Sequence, residues 1–439
     1  MATSGSRVLV HLALLLLFGA APARAAAAQT DAAAELAALF QSHKVKRLIV
    51  KPPKGLLLHE YIVPDGPYFQ LFDWDMYFMS AALSYDKVSK PVVGSIQDFL
   101  AFVDEFANWT GYAPREIAPD ALWALPEMCK PFLAQAAVRA SLTSGDFSWL
   151  RGSDPPPSAD PNYRKLQYYE RPDAPPRLSY YQKLKDTVAF WENNRRAPDG
   201  LFVWYNGVES GTDNSPAVAD APSQATEGVD LQCYLYREYR ALALLARRLG
   251  EEKDAEQYDG KAAALKALVQ KLLWSEKDGL YWNRDSRTGA FVTVKAWTTF
   301  VPLWAGLATQ AQAKRLIEGR LLDPAQFWAP HGVRTLSRDE PLYDPHRGYW
   351  RGPVWVLSNY LVMHGLLNYG YQAQAAELAD KTQRLLVDDF NTSGGMNENY
   401  DPESGAPDAG GHFLSWNLLA ERMKDEAVSG ADPTAIPAR

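Results

Sequence analysis

Apolar residues recur three or four positions apart along most of this chain, which is the period of an amphipathic α-helix. The clearest case is "VDLQCYLYREYRALALLARRLG", where leucines from Leu231 to Leu249 share one face and Gly250 is placed to end the helix. The same period in "SIQDFLAFVDEFANW", "SYYQKLKDTVAFWENNRR" and "AQAAELADKTQRLLVDD" predicts further helices. "ALWALPEMCKPFLAQAAVRASL" is apolar but interrupted by proline, which predicts a buried or kinked helix. Alternating strand patterns are few and short, so an all-α architecture is expected.

Two segments share one pattern and indicate an internal repeat. "FWENNRRAPDGLFVWYNG" and "LLWSEKDGLYWNRDS" both run from a helical segment through Asp-Gly-Leu to an aromatic residue and an asparagine. Asp199-Gly200 and Asp278-Gly279 are the matching turns. Recurrent helix pairs of this length predict a closed toroid of helical hairpins whose long loops gather on one face. The repeat alone does not set the number of hairpins.

The first residues have the features of a secretory signal peptide. Arg7 precedes the apolar run "VLVHLALLLLFGAA", and Ala23-Arg24-Ala25 fits a small-x-small cleavage site, so residues 1–25 are the predicted signal peptide. A membrane anchor is the competing interpretation, but the apolar run is short for a span. The sequons at Asn108 and Asn391 agree with the secretory route. The expected destination is extracellular or vacuolar, with no membrane attachment of the mature form.

Residues 151–177 differ in composition from the helical segments around them. This stretch carries seven prolines and no helical period, and it is too rich in tyrosine for a plain linker. It is interpreted as an insertion loop inside one catalytic domain that spans residues 26–439.

Charge and composition exclude several classes of function. The net charge of -7 argues against nucleic acid and anionic membranes as partners. The two cysteines, Cys129 and Cys233, both lie in apolar helical patterns and leave either one disulfide or two buried thiols open. The 14 Trp, 22 Tyr and 17 Phe are mostly expected in the core. Clusters of tryptophan beside acidic residues instead indicate a site that stacks on sugars. Nothing indicates the oligomeric state.

Four loops combine acids with aromatic residues: "FQLFDWDMYF", "NGVESGTDNSP", "YWRGPVWVLSNY" and "MNENYDPESG". Cleavage of a glycosidic bond needs one carboxylic acid to protonate the leaving oxygen and one carboxylate on the opposite side. There is no G-x-S-x-G elbow, P-loop, H-E-x-x-H or dinucleotide motif. The seven histidines are scattered, so neither a cofactor nor a metal is expected. A metal held by Asp73, Asp75 and Asp401 is the remaining alternative.

These motifs, in this order, resemble those of glycoside hydrolase family sixty-three. The matching stretches are "FDWDMYF", "ESGTDNSP", "YWRGPVWVLSNYL" and "ENYDPESG", and they extend across most of the mature chain. "GYAPREIAPDALWALPEMCKPFLAQ" is most similar to the mannosylglycerate/glucosylglycerate hydrolase branch. Trehalases share related signatures, but this chain has "YWRGPVW" where they have "QWD-x-P-N-G-W-A-P". The resemblance implies an (α/α)6 toroid and an inverting hydrolase without a covalent intermediate.

The resemblance also implies roles for individual residues. Asp213 would be the general acid and Glu398 the general base. Asp75 would hold sugar hydroxyls, and Arg351 would bond hydroxyls or orient a carboxylate. The remaining substrate-binding positions that it implies are the walls Trp74, Trp350, Trp355 and Trp416 and the glycerate contacts Tyr112 and Gln135.

Neighbouring polar residues have simpler expected roles. Asp73 is expected to be structural, and Glu209 is expected to orient the Asp213 loop through backbone hydrogen bonds. His331 and His412 are interpreted as packing or surface residues. The candidates for binding a carboxylated aglycone, that is, the leaving half of the substrate, are Arg115, Arg351 and His412.

The leading hypothesis is a glycoside hydrolase that releases mannose or glucose from an α-linked hexosyl glycerate, a compatible solute. A trehalase-like or α-glucoside-specific hydrolase is the alternative within the same class. A non-catalytic sugar-binding protein on the same toroid is the alternative from another class. An epimerase or lyase would need a pair of histidines near the site, and the sequence offers no convincing pair.

Overall fold

Long helices carry the fold, as the periodicity predicts. The computed structural model describes residues 31–103, 110–154 and 178–437. The first α-helices are α1 Ala32–Ser42, α2 Val45–Leu48, α3 Asp73–Ser84, α4 Lys90–Ala101, α5 Leu133–Ser144, α6 Tyr180–Asn194 and α7 Gly207–Ser210. They are followed by α8 Val229–Leu249, α9 Glu252–Leu272, α10 Val301–Trp304, α11 Gln310–Leu316, α12 Val356–Asn368, α13 Gln372–Ser393 and α14 Met423–Ser429. Short 3-10 helices span Ser148–Arg151, Trp297–Phe300 and Ser415–Glu421, and one π-helical turn spans Ile317–Leu321.

Six inner elements form a closed ring. In chain order α3 packs on α5, α5 on α8, α8 on α10, and α10 on α12. α12 packs on the 3-10 helix Ser415–Glu421, here named the closing helix, and the closing helix packs back on α3. The helices α4, α6, α9 and α13 pack on the outside of this ring. The architecture is therefore the (α/α)6 toroid, and its closure supplies the number of hairpins that the repeat left open.

The difference between inner and outer helices follows from their sequences. Every residue of α3 except Ser84 is buried, because a helix that is apolar on all sides can only lie inside a protein. The outer helix α9 instead buries one stripe, at three- to four-residue spacing, formed by Ala255, Tyr258, Ala262, Leu265 and Val269. Gly250 ends α8 in the left-handed conformation at φ 79°, as predicted.

Strands within the described residues are short and decorate the loops. They are β1 Val50–Lys51, β2 Tyr61–Ile62, β3 Leu71–Phe72, β4 Pro114–Ile117, β5 Leu122–Met128, β6 Thr226–Glu227, β7 Trp274–Ser275, β8 Leu280–Tyr281, β9 Asn283–Asp285, β10 Phe291–Val292, β11 Trp328–Ala329 and β12 Gly332–Val333. The antiparallel sheet β3-β4-β5 borders the site described below. The repeated turns at Gly200 and Gly279 adopt left-handed φ values of 96° and 67°, so the predicted repeat has matching turn conformations.

One predicted helix is wrong over its first half. The segment from Leu122 to Met128 forms strand β5, and the helix α5 begins only at Leu133. Pro126 and Pro131 explain the difference, since a proline inside a helix removes a backbone donor and clashes with the preceding turn. Cys129 consequently lies between a strand and a helix, whereas Cys233 lies within α8, as predicted.

Some of the sequence predictions lie outside the described residues. These are the signal peptide at residues 1–25, the sequon at Asn108, and residues 155–177 of the proline-rich loop. From Ala32 onward the chain forms one compact unit. The second sequon lies at the end of α13, where the Asn391 amide donates to Glu35 Oε1 at 2.9 Å. Within the described residues, no helix is both long enough and apolar enough to cross a membrane.

Both cysteines are free and buried, so we expect two unpaired thiols. Burial also raises the pKa of both thiols, which suppresses the reactive thiolate. A thiol reagent should therefore label neither cysteine in the native protein, and two thiols after denaturation without reductant. Loss of both thiols in the denatured, unreduced protein would mean that the two cysteines form a disulfide.

Candidate active site

A cavity of about 260 Å³ lies among the loops that lead into the inner elements of the ring. This volume is just below the range of about 300–1,000 Å³ that is typical of small-molecule sites. The cavity is lined by both predicted catalytic carboxyls, Asp213 and Glu398. The other predicted residues that line it are Trp74, Asp75, Trp350, Trp355 and Trp416.

The loop "ESGTDNSP" is shaped by one glycine and one asparagine. Gly211 ends α7 at φ 81°, and a Cβ at this position would lie 2.6 Å from the Trp74 ring. Only glycine therefore lets the loop pass so close to the cavity wall. The Asn214 side chain donates to Gly348 O at 2.9 Å and accepts from the Trp350 N–H at 3.0 Å. The Asp213 loop is thus fixed to the loop that carries the stacked tryptophans.

Glu209 fixes this loop to the protein interior through hydrogen bonds, as expected. Its carboxylate is fully buried and accepts the backbone N–H groups of Met128 at 2.9 Å and Tyr205 at 2.5 Å. The Arg195 guanidinium pairs with it at 3.1 Å. The Asn206 side chain caps α7 by accepting the Glu209 N–H at 2.8 Å. Glu209 is therefore saturated by donors and positions the loop.

The second carboxyl, Glu398, is held on a tight loop after α13. Its N–H donates to Ala409 O at 2.7 Å, and a Cβ on Gly410 would lie 2.7 Å from the Glu398 Cβ. Each carboxylate oxygen meets one tyrosine: the Tyr68 hydroxyl donates to Oε2 at 3.2 Å and the Tyr349 hydroxyl donates to Oε1 at 3.4 Å. A carboxylate has about four lone-pair positions, so two positions stay available to a water molecule.

The surroundings of Asp213 act on its negative charge in two opposite ways: burial disfavours the charge, and two nearby cations stabilise it. Burial raises the pKa of Asp213, and the Arg115 guanidinium and the Lys130 ammonium oppose this rise. A carboxyl with a raised pKa can hold a proton nearer to neutral pH than a solvated aspartic acid can.

Glu398 titrates close to neutrality. Burial raises the pKa of Glu398 to about 7, the charges of Asp75 and Asp213 add to the rise, and the Tyr68 and Tyr349 hydroxyls oppose it. Because the two carboxyls repel each other when both are ionised, the pair favours a state that holds one proton. One proton donor and one carboxylate in a single cavity are the two groups that inverting hydrolysis requires.

Two further aspartates lie at the start of α3 with different roles. Asp73 is saturated, since it accepts the Trp74 N–H at 2.6 Å and the Lys130 N–H at 2.7 Å, with the Lys130 ammonium at 3.4 Å. This confirms the structural role expected for Asp73. Asp75 lines the cavity and, among the side chains that the structure describes, accepts the Ser415 hydroxyl at 2.5 Å. Burial raises the pKa of Asp75 to about 7.

Four tryptophans form a closed circuit of ring contacts around the cavity. Trp350 stacks on Trp355 with 3.8 Å between ring centroids and 11° between planes. Trp74 contacts Trp350 at 5.9 Å and Trp416 at 5.7 Å, and Trp355 contacts Trp416 at 5.7 Å. Phe413 extends the circuit from Trp416 at 4.6 Å. These rings make the cavity wall around the carboxyls largely apolar and offer apolar faces to a sugar.

A cation and a further carboxyl reach the cavity from β4. Arg115 and Glu116 are consecutive, yet both line the cavity, although neighbouring residues of a regular strand face opposite sides. The pairing of β4 with β5 shifts register between Pro114 and Glu116, and such irregularities redirect side chains beside active sites. Arg115 NH2 lies 3.6 Å from Glu116 Oε2. The cavity therefore presents one guanidinium close to Asp213.

Tyr112 and Gln135 are not among the described residues that line the cavity. The Tyr112 ring is fully buried against Phe190, and its hydroxyl donates to Glu127 O at 2.8 Å. The Gln135 amide donates to backbone carbonyls and accepts from Arg237 Nε at 3.2 Å. Both side chains are therefore engaged within the protein interior, so the structure does not bring these two predicted glycerate contacts to the site.

Arg351 is likewise not among the lining residues that the structure describes. Its Nε donates to Gly348 O at 3.4 Å, which ties it to its own loop. His412 and His331 do not line the cavity in the described structure either, and they contact Gly395 and Gly405 respectively. Of the three residues expected to bind a carboxylated aglycone, the structure places Arg115 in the cavity.

The alternative metal site does not form. Asp401 accepts the N–H groups of Glu403 at 2.7 Å and Ser404 at 3.0 Å, while Asp73 and Asp75 have the separate partners given above. Across the ranges that the structure describes, no group of three or more His, Cys, Asp or Glu side chains is arranged to hold a metal ion.

A family model described as the mannosylglycerate hydrolase MGH1-like glycoside hydrolase domain matches residues 153–416, more than half of the 439-residue chain. The chain belongs to this family. The description of the family is that of a glycoside hydrolase domain, which favours an enzyme over a non-catalytic sugar-binding protein.

Individual relatives agree with this family. A mannosylglycerate hydrolase from Rubrobacter radiotolerans is 33% identical over 45% of this chain and 42% of the relative. The cytosolic neutral trehalase of Kluyveromyces lactis is 24% identical over 79% of this chain and 51% of the relative. The chain thus spans about half of these relatives. The structure of a GH63 mannosylglycerate hydrolase from Thermus thermophilus in complex with glucose matches with a TM-score of 0.63 and 22% identity, over 87% of this chain and 99% of that one. At this identity the match shows the fold.

Tyr68 and Tyr349 are residues of this glycoside hydrolase site that sequence reasoning missed. Tyr349 stood in the quoted motif "YWRGPVW", directly before Trp350, and this position was the one available signal. It adopts a left-handed φ of 60°, a strained conformation for tyrosine that persists where surrounding contacts impose it. Trp355 Nε1 donates to Tyr349 O at 3.0 Å. Tyr68 lies in no recognised motif, and only the fold brings it to Glu398.

Replacing Glu209 by alanine should destabilise the hydrolase strongly. The change leaves the Arg195 charge and two backbone donors buried without their acceptor, which typically costs about 3–5 kcal/mol. Chemical denaturation measures this loss, and Glu60→Ala is a matched control because its partner Lys90 is 83% exposed and such pairs contribute about 0–1 kcal/mol. Equal effects of the two substitutions would show that Glu209 is not an anchor.

Proposed function

We propose that this protein is an inverting hydrolase that cleaves the α-glycosidic bond of mannosylglycerate, or of glucosylglycerate, to release hexose and glycerate. The observation that carries the proposal is the meeting of Asp213 and Glu398 in one tryptophan-walled cavity. The family description supports the substrate class.

The proposed reaction is a single displacement at the anomeric carbon. Asp213, in its protonated form, gives its proton to the glycosidic oxygen as the bond between that oxygen and the anomeric carbon breaks. Glu398, in its ionised form, takes a proton from water as the water oxygen bonds the same carbon from the opposite face. Glycerate leaves as the free alcohol, and the hexose is released with inverted configuration. Proton exchange with solvent then restores both carboxyls.

The contacts of the two carboxyls support this division of roles. Tyrosine hydroxyls donate to both oxygens of Glu398, and donors stabilise the ionised form of a carboxyl. No side-chain donor to Asp213 is found in the described structure that would hold it ionised by direct hydrogen bonding. Asp75, on the wall of the same cavity, is placed to accept a hydroxyl of the sugar.

The aglycone preference is proposed from Arg115. Its guanidinium lines the cavity beside Asp213, where the leaving group of the reaction must lie. Guanidinium groups bind carboxylates through charge-assisted hydrogen bonds, so glycerate fits this position better than a neutral leaving group.

A trehalase-like activity is the second candidate. It is favoured by the match to a trehalase over 79% of this chain. Glucose is the leaving group of trehalose and carries no charge, so Arg115 would then lack an ionic partner. Release of glucose from trehalose but from neither glycerate compound would favour this alternative.

The cellular location belongs to the same proposal. The positive residue, apolar run and small-x-small site within residues 1–25 support entry into the secretory pathway. Tagging the mature chain at its C-terminus and following its location with and without residues 1–25 tests this route.

Asp213→Asn and Glu398→Gln should each lower kcat by about 10²–10⁴-fold, the usual contribution of a general acid or base. Mannosylglycerate, glucosylglycerate and trehalose are the substrates, and proton NMR of the first-formed hexose anomer reads the stereochemistry. Inversion predicts that the β-anomer of the hexose appears first. Asp146→Asn, an exposed surface change, is the control. First appearance of the α-anomer, or full turnover by Asp213→Asn, would contradict the mechanism.

Tyr349→Phe and Tyr68→Phe should move the acid limb of the pH profile upward. Glu398 must be ionised to act, so activity falls as the pH drops through its pKa of about 7. Losing a hydroxyl donor destabilises the carboxylate and raises this pKa further, by about one unit per hydroxyl. The measurement is the pH dependence of kcat/KM. Tyr343→Phe is the matched control, because its hydroxyl contacts Glu403 instead. An acid limb that stays in place in all three variants would show that the hydroxyls do not stabilise ionised Glu398.

A further inference from the structure

The Arg115 guanidinium lines the cavity and does not use all of its hydrogen-bond donors within the described structure. Its Nε is buried and has no hydrogen-bond partner in the described structure. Its pairing with Glu116 is loose, at 3.6 Å, and burial raises the pKa of Glu116, which weakens Glu116 as a counter-ion. The guanidinium carbon lies 5.9 Å from the Phe72 ring centroid. A cation so incompletely neutralised is suited to an anionic ligand.

The other cation near Asp213 is already neutralised. The Lys130 ammonium lies 3.4 Å from both oxygens of Asp73 and 4.8 Å from the centroid of the Trp74 ring, and it is 1% exposed. A ligand that enters the cavity can therefore change the charge felt by Asp213 mainly through Arg115.

Building on the proposed function, we propose that Arg115 transmits the charge of the aglycone to the general acid. A carboxylated aglycone that pairs with Arg115 cancels the field of the guanidinium at Asp213 and so favours the protonated, proton-donating form of Asp213. A neutral aglycone leaves that field acting, and Asp213 then ionises at lower pH. The anionic substrate thus helps to activate the acid that cleaves it, and the enzyme selects anionic aglycones in the chemical step as well as in binding.

The other groups around Asp213 do not replace this effect. Glu398 and Glu116 are carboxyls that interact with Asp213 whichever aglycone is bound. The hydroxyls of Tyr68 and Tyr349 also lie within its field, and both have a raised pKa that keeps them neutral in the working range. Among the described residues, the charged and titratable groups that interact with Asp213 are Arg115, Lys130, Glu116, Glu398, Tyr68 and Tyr349, and Asp75 lines the same cavity.

The test compares two substrates that differ in one charge: α-mannosylglycerate and α-mannosylglycerol, in which a hydroxymethyl group replaces the carboxylate. The pH profile of kcat reports ionisations in the enzyme–substrate complex, whereas that of kcat/KM reports the free enzyme. We expect the alkaline limb of kcat to lie about one pH unit higher for mannosylglycerate, because an opposite charge within about 4–6 Å moves a pKa by about 1–3 units. The alkaline limb of kcat/KM should be the same for both substrates, and single-turnover rates exclude product release as the cause.

Variants of Arg115 give the second part of the test. In Arg115→Gln the two kcat limbs should coincide, and kcat/KM should fall about 10- to 100-fold more for mannosylglycerate than for mannosylglycerol. Arg115→Lys keeps the charge and should restore part of the separation between the limbs. Arg347→Gln removes an exposed cation outside the cavity lining and should leave the separation intact. Retained turnover of mannosylglycerol shows that each variant is folded.

Two outcomes overturn the inference. Coincident kcat limbs in the unmodified enzyme would show that the aglycone charge does not reach Asp213, and a separation that persists in Arg115→Gln would show that another group carries it. Failure of the proposed function looks different, because neither mannoside, nor the corresponding glucosides, would then be hydrolysed at any pH.

Discussion

The contact between α3 and the closing helix is the constraint on which both fold and site depend. The Ser415 hydroxyl donates to Asp75, 340 positions away in the chain, at 2.5 Å, and the N–H groups of Leu414 and Ser415 both donate to Pro64 O, at 3.0 and 3.1 Å. Trp416 meets Trp74 at the same junction. Pro64, Trp74, Asp75 and Trp416 lie at this junction and also line the cavity, so closure of the ring of helices brings these walls of the site together.

The hydrogen-bond donors around each buried carboxylate distinguish those that support the site from those proposed to act in catalysis. Glu209 and Asp73 are more deeply buried than the proposed catalytic pair, and each accepts two backbone N–H groups and faces a buried cation. Asp213 accepts no side-chain hydrogen bond in the described structure, and its own backbone N–H and the charges of Arg115 and Lys130 only partly offset the rise in its pKa that burial causes. A buried carboxyl that the protein leaves partly unsatisfied costs stability. That cost is understandable where the carboxyl must exchange protons with a ligand.

Much of the fold, and the placement of two acids and four tryptophans in one cavity, could be predicted from the sequence for identifiable reasons. Helices such as α8 and α9 follow from a period that a single stretch of chain contains in full. Asp213, Glu398, Trp74, Trp350 and Trp355 lie in segments dense with acids and rings, and the motif resemblance implied their roles and that of Trp416. Strand β5 was mistaken for helix because an apolar run does not distinguish the two when the partner strand is unknown.

The site residues that the sequence did not predict, and those that it placed in the site although they lie elsewhere, have a common cause. Tyr68 reaches Glu398 across 330 positions, and nothing local to "GPYFQ" encodes that contact. Conversely, Tyr112 and Gln135 were implied by the resemblance of the surrounding segment to the family motif. Their hydrogen bonds instead show that both side chains are bound within the protein interior. Which side of a loop faces a cavity depends on backbone direction and packing, and the sequence pattern around these residues is irregular. The placement of both Arg115 and Glu116 in the cavity could not be predicted for the same reason, since it depends on a shift in the register of strand pairing.

The contact by which the closing helix completes the ring also affects the order in which the protein folds during synthesis. Because synthesis runs from the N-terminus, α3 is made before the closing helix, and Ser415 follows Asp75 by 340 positions. Contacts between such distant segments form late in folding, since the intervening chain must first be ordered. Until the closing helix has been made, the ring of Trp74 lacks its contact with Trp416, and we expect the nascent chain to carry apolar surface that a chaperone would recognise. The cavity is then complete only after the ring of helices has closed.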